Sequence, residues 1–257
     1  MLKWLFRGLR HGIVTTGYPA RPERAPTGYR GRIAVLRPDD APESVASLCP
    51  TAAIRVEDGR ISLDRGRCIL CGACVTNAPE RFAFEADYET AVRRRSALVL
   101  GEEAPTVLEE LLPTLGDRSW TLRRSIHIRH VDAGSDGAEE WEIQALTNPY
   151  YDMQRLGLYF TLAPRHADVL LVTGGVTHSM RDPLLRTYEV MPEPKAVIAV
   201  GTDACSGGFS ATTGEVAGGV DQVLPVDVYV PGSPPAPIAI LHGLLLAVGV
   251  VAREAAA

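Results

Sequence analysis

The chain has 257 residues, 46% of them hydrophobic and 22% charged, with a net charge of −5. That length and apolar content allow two modest globular domains and exclude a chain disordered by composition, and the acidic balance gives no support to nucleic-acid binding. Five cysteines, four of them claimed by the motif described below, argue against a disulfide framework and for a reducing, cytoplasmic setting.

Residues 1–30 carry Lys3, Arg7, Arg10, Arg21, Arg24 and Arg30 against the single acid Glu23, a local charge of plus 5. Leu2, Leu5, Phe6 and Leu9 recur at helical spacing beside Trp4, which predicts a basic amphipathic helix. Two readings of it stand: a helix that lies in the headgroup region or docks on a membrane subunit, and an ordinary solvated helix packed on its own domain. No secretory leader is expected here, because a long apolar core and a small-residue cleavage site are missing. Residues 27–37 read as an extended lead-in to the next module.

That module, residues 31–95, is built around Cys68-Ile69-Leu70-Cys71-Gly72-Ala73-Cys74. Three thiolates two residues apart fold around one corner of an iron–sulfur cube, with Gly72 and Ala73 small enough for the backbone to wrap closely. The fourth ligand of this pattern comes from a Cys-Pro elsewhere, and Cys49-Pro50 fits. Asp58-Gly59, between the apolar runs 52–54 and 61–63, is a hairpin signal that folds the chain back between them. A zinc site or unrelated thiols are the alternatives, but zinc sites use paired Cys-x2-Cys knuckles. A second cluster would need thiols at Asp39, Pro42, Val45 and Ala78, and none stands there. One 4Fe-4S cluster held by Cys49, Cys68, Cys71 and Cys74 is therefore expected.

Residues 96–120 read as a linker with a connecting helix over 104–115, started by Pro105 and stopped near Gly116. Beyond it, residues 121–257 alternate strands and helices: strands at 126–131, 169–173, 196–200 and 226–230, and a helix at 180–190. Continuous apolar strands of this kind predict a parallel sheet covered on both faces, so the fold class is α/β, a ferredoxin-like iron–sulfur module followed by a flavodoxin-like doubly wound domain. The apolar run 238–252 contains His242 and is shorter than the roughly 20 residues of a spanning helix, so a buried or partner-facing helix is expected. Ligands in open α/β sheets sit beyond the carboxyl ends of the strands, here the loops 132–140, 174–177, 201–208 and 231–237. No Gly-x-Gly-x-x-Gly or Walker signature supports a nucleotide there, and no Ser-His-Asp or Cys-His arrangement supports a hydrolase.

The segments His127-Ile128-Arg129-His130-Val131-Asp132, Ala145-Leu146-Thr147-Asn148-Pro149-Tyr150-Tyr151, Pro164-Arg165-His166-Ala167-Asp168, Met191-Pro192-Glu193-Pro194-Lys195 and Pro225-Val226-Asp227-Val228-Tyr229-Val230-Pro231-Gly232 resemble the small, 20 kDa-type subunit of respiratory complex I and of membrane-bound group 4 nickel–iron hydrogenases. Residues 1–95 more loosely resemble the ferredoxin-like subunit of formate hydrogenlyase-type complexes, so the chain reads as a fusion of two neighbouring subunits. The resemblance implies a second 4Fe-4S cluster in the α/β domain, the last relay before the quinone or the nickel–iron centre. At its four ligand positions this sequence has Asp136, Glu139, Asp203 and Ser233. Cys205 falls two residues past the third of them.

A cube of iron and sulfide needs soft thiolates, so the terminal cluster is expected to be absent. Grouped carboxylates cannot all stay ionised and dry without compensation. Two fillings of the vacated pocket are open: salt bridges to Arg129, Arg165 and His166 with water, or a hard divalent cation on oxygen ligands. The loop spacing, inherited from a cluster, argues for the first.

What the resemblance implies is an electron-transfer subunit of a membrane-bound complex related to complex I and group 4 hydrogenases. Such a subunit is not catalytic alone and is peripheral on the cytoplasmic face, between a hydrogenase-like large subunit and membrane subunits. It is similar to hydrogenase-related complexes that keep the architecture and lose metal ligands. A non-redox scaffold coupling a carboxylate-lined pocket to an ion-translocating membrane arm is the alternative. A third reading is an active hydrogenase or quinone oxidoreductase subunit with rerouted electrons.

Overall fold

The computed structural model describes residues 3–101, 113–118 and 125–251. Helix α1 (Lys3–His11) opens the chain, with Trp4, Phe6 and Leu9 exposed. The segment after it is sewn onto the distant 148–155 turn. Thr16 N–H donates to the Tyr150 carbonyl at 2.8 Å, and the Tyr150 hydroxyl donates to Glu23 at 2.7 Å. Tyr150 thereby ties the 12–23 segment to the α/β domain through both its carbonyl and its hydroxyl.

The first module holds two small antiparallel sheets. Strand β1 (Arg32–Val35) pairs with β4 (Phe82–Glu85), and β2 (Ile54–Glu57), β3 (Arg60–Asp64) and β5 (Val99–Leu100) form the other. The β2–β3 hairpin turns at Asp58-Gly59, both with positive φ, the backbone that a two-residue type I′ turn requires. Ile33, Ile54, Ile61, Leu63 and Phe82 close its core. Because β5 pairs with β3, the module's sheet reaches Leu100, five residues past the boundary expected from sequence.

The α/β domain has a five-stranded parallel sheet of β6 (Ile126–Asp132), β7 (Leu158–Phe160), β8 (Val169–Thr173), β9 (Ala196–Val200) and β10 (Val228–Val230), in the order β10-β9-β8-β6-β7. Counted within the domain this is 2-1-3-4-5, the flavodoxin-like order, with its switch point between β6 and β8. Strands β8 and β9 are buried at every residue, as central parallel strands covered on both faces must be. One face packs α7 (Pro237–Val248), buried throughout, and Ile143 and Leu146 at the end of α4 (Ala138–Ala145). The other packs Leu184 of α5 (His178–Val190) and Ala204 and Cys205 of α6 (Thr202–Ser206). The short α3 (Leu115–Arg118) touches α7. Most of the connecting helix expected over residues 104–115 lies outside the described residues, and α2 (Ala73–Asn77) belongs to the motif described next.

Two polar contacts and a strand bridge lock the module to the domain. Val92 and Tyr229 exchange backbone hydrogen bonds of 3.0 and 2.8 Å, covering the β10 edge that would otherwise stay open. Arg95 forms a bidentate pair with Asp64, at 2.9 and 2.6 Å, and donates to the Cys205 carbonyl at 3.1 Å. The Thr202 hydroxyl donates to the Cys68 carbonyl, also at 3.1 Å.

Candidate iron–sulfur site and the vacated pocket

Cys49, Cys68, Cys71 and Cys74 line one small pocket with Ile33, Ile54 and Leu63. The local backbone explains how the triplet wraps. Leu70 and Gly72 both take positive φ, and a Cβ on Gly72 would come within 2.9 Å of the Phe84 ring. Glycine is thus required there for two reasons, conformation and space. Arg30 stacks on the same ring, 5.0 Å from its centroid, and donates to the Leu70 and Cys71 carbonyls at 3.4 Å. The Thr51 hydroxyl donates to the Arg67 carbonyl at 2.7 Å, tying the Cys49 turn to the triplet. The Ala53 N–H points at the Cys49 sulfur, 3.2 Å away.

Four soft sulfur donors with backbone N–H groups aimed at them fit a 4Fe-4S cube. Burial pushes the Cys68 thiol up to about 12 and raises that of Cys74, so loading with iron must displace protons that these sulfurs otherwise keep. Cys74 is buried, Cys68 and Cys49 half-buried and Cys71 exposed. Among the described residues, no three His, Cys, Asp or Glu are grouped to hold a single metal ion. Cys205 is fully buried on the inner side of α6, its sulfur 3.9 Å from the Ala199 carbonyl, and does not join the four.

In the domain, three of the four oxygen-bearing residues act on one another. Glu139 is 3% exposed and its Oε2 has no hydrogen-bond partner among the described residues. It occupies the buried stripe of α4 with Ile143 and Leu146, at spacings of four and seven. Burial, then the charges of Asp203, Asp136 and Glu140, push its carboxyl up to about 7, against the pull of the helix backbone. Burial and Asp136 likewise raise Asp203. Its Oδ1 would lie 1.5 Å from a Cβ on Gly208, so only glycine leaves the carboxyl its place. Ser233 is exposed and stands one residue past Gly232, whose carbonyl accepts from Thr202.

The expected ion pairs do not form. Arg165 and His166 are exposed on the turn that precedes β8, at the amino end of the strand and away from the carboxylates. Arg129 lies within β6 and lines a separate groove of about 310 Å³ with His130, Gln144 and Phe160. The charges that act on Glu139 are all negative, so no arginine offsets its burial and the carboxyl holds a proton more firmly than an ordinary one.

Sequence reasoning also missed a hydrogen-bonded chain at the switch point. His130 Nε2 lies 3.1 Å from the Thr173 hydroxyl, which donates to Glu140, and the Ser135 hydroxyl donates to the other Glu140 oxygen at 2.7 Å. Burial lowers the His130 pKa in spite of Glu140. The only signal for it was the position of these residues at the carboxyl ends of β6 and β8. Asp132, by contrast, caps the loop by accepting from Gly134 and Ser135 N–H at 2.8 Å.

A pH series on Glu139→Gln tests the buried carboxyl. A folded-state pKa above the ordinary value means the native chain binds more protons than the unfolded one between about pH 4.5 and 7, so wild-type stability falls as pH rises through that range. The variant escapes this loss. It is expected to match wild type near pH 4 and to be more stable by about 3 kcal/mol at pH 8, read by chemical denaturation.

Comparison with known families gives two matches. Residues 137–247 match the family described as NADH ubiquinone oxidoreductase, 20 Kd subunit, and residues 61–110 a 4Fe-4S single cluster domain. Formate hydrogenlyase subunit 7 of Escherichia coli (strain K12) is 42% identical over 133 residues, 52% of this chain and 52% of that one. The match thus spans about half the length of that relative. An uncharacterized protein of Methanocaldococcus jannaschii is 47% identical over 123 residues, 48% of this chain and 82% of its own. A Pyrococcus furiosus protein named "Probable membrane-bound hydrogenase subunit mbhJ" is 42% identical over 132 residues, 51% of this chain and 79% of its own.

Proposed function

Because the chain belongs to the NADH ubiquinone oxidoreductase 20 Kd subunit family and carries a 4Fe-4S cluster domain, we propose that it is the iron–sulfur subunit of a membrane-bound complex of the complex I and hydrogenase type. One 4Fe-4S cluster, held by Cys49, Cys68, Cys71 and Cys74, carries its electrons, and the terminal cluster of the α/β domain is absent. The observation that carries this reading is the contrast between two ligand sets: four thiols that converge on one pocket, and Asp136, Glu139, Asp203 and Ser233 at the positions of the other.

The cluster supplies one-electron chemistry when bound; the protein's part is to hold and insulate it. Cys71 faces outward, toward a redox partner. Cys68 faces the α/β domain through Thr202. Electron tunnelling falls steeply with distance, so without the terminal relay the path to a quinone or nickel–iron centre at the usual place is broken. The domain then braces a hydrogenase-like large subunit against membrane subunits on the cytoplasmic face. No helix among the described residues is long and apolar enough to cross a membrane, and the basic α1, with Trp4, Phe6 and Leu9 exposed, is suited to contact the membrane arm.

A scaffold reading is favoured by one observation, the buried carboxyl of Glu139 with its Oε2 unpartnered among the described residues, which suits a chain that couples a polar pocket to membrane subunits without passing electrons. Iron and acid-labile sulfide analysis of the purified full chain tests the main proposal. Four irons per chain is the expected result. Eight would restore the terminal cluster, and none would remove the electron carrier.

A further inference from the structure

We propose that Glu139 is a proton-binding site coupled to the electron on the neighbouring cluster: a one-electron donor reduces the cluster, and the carboxylate at Glu139 takes one proton from solvent, so the added charge is cancelled. This rests on the cluster assignment above and adds a function to the pocket that assignment leaves vacated.

The geometry is a short chain of contacts. Thr202 donates its hydroxyl to the carbonyl of Cys68, a cluster ligand, and to that of Gly232. The residue before it, Gly201, lies directly against Glu139: a Cβ there would meet Oε1 at 2.5 Å. The residue after it is Asp203, whose charge acts on Glu139. One short loop, Gly201-Thr202-Asp203, therefore touches the cluster motif on one side and the buried carboxyl on the other.

Glu139 is suited to exchange a proton because only its own helix backbone favours the charged form. It is 97% shielded from solvent (3% exposed), and its Oε2 is buried without a partner among the described residues. The groups facing it are Asp136 and Glu140 on its own segment and Asp203 on α6. The 231–235 loop carries no titratable side chain. On the far side of α6, Arg95 is already neutralised by Asp64. With its pKa at about 7, the carboxyl is poised where a small change in field moves its proton. A unit charge about 10 Å away, at an effective dielectric of about 20, changes proton affinity about tenfold. Asp136 is exposed, so solvent protons reach the cluster of carboxyls.

Redox titration of the iron-loaded full chain between about pH 5 and 9, followed by electron paramagnetic resonance of the reduced cluster, tests the coupling. The wild-type midpoint potential is expected to be level below about pH 6.5, to fall across roughly one unit above pH 7, and to level again, because reduction raises the proton affinity of Glu139 about tenfold. In Glu139→Gln the fall is absent and the potential stays at the wild-type acid value. In Asp203→Asn, which removes one of the charges holding the proton, the fall moves to lower pH. A wild-type potential that is the same at both ends, or a fall retained unchanged in Glu139→Gln and Asp203→Asn, overturns the coupling alone. Four irons that never accept an electron overturn the electron-carrying assignment on which it rests.

Discussion

A Cys68→Ser chain is expected to be purified with less than about one iron in place of about four, and without the brown sulfide-to-iron absorption. Serine offers a hard, poorly acidic oxygen where iron–sulfur chemistry uses thiolate. Cys68 has the further handicap of burial, which resists ionisation of whatever group stands there. The loss extends beyond the metal. The first module is a small scaffold with two short sheets and a core that includes Cys74, and scaffolds of that size need a staple. Iron binding is accordingly part of its folding free energy. Its β-structure should melt independently at lower temperature in the variant, while the five-stranded domain, with its own core on both faces, keeps its transition. Cys205→Ser is the control. That thiol is a buried neighbour of β9, so its loss should leave the iron content unchanged; a fall equal to that of Cys68→Ser would remove the ligand assignment.

The features legible in the sequence were those encoded by short-range pattern. The triplet from Cys68 to Cys74 has a spacing that few other structures require, and Asp58-Gly59 has the backbone freedom of its turn. Strands β8 and β9 matched the expected residues at both ends because burial on both faces makes their apolar runs continuous. Strand β7 was missed: it has three residues, two of them exposed, at the sheet edge. Helix α4 was hidden because its buried stripe contains Glu139, a residue that reads as solvated. The raised pKa of that residue was equally out of reach, since it comes from burial and from Asp203, distant in sequence. Arg165 and His166 were assigned to the pocket from their place in a family motif, which does not tell which end of β8 they occupy.

Gly201→Ala is expected to lower stability by about 4 kcal/mol, close to 15 °C in a thermal melt of the α/β domain. Two costs add. Gly201 has φ +92° and ψ 161°, a region essentially reserved for glycine, worth about 1–3 kcal/mol of strain for a residue with a Cβ. That Cβ would also sit 2.5 Å from Glu139 Oε1, 2.8 Å from its Cγ and 2.9 Å from its Cδ, an overpacking penalty of about 1–3 kcal/mol. Because the clash is with a side chain and the strain is in the backbone, they separate in a double-mutant cycle. Glu139→Ala in the Gly201→Ala background should restore roughly half the loss, leaving the part due to φ. Full restoration would place the whole cost in the contact. No restoration would mean that Glu139 does not lie against Gly201, and the loop joining the cluster motif to the buried carboxyl would lose its geometric basis.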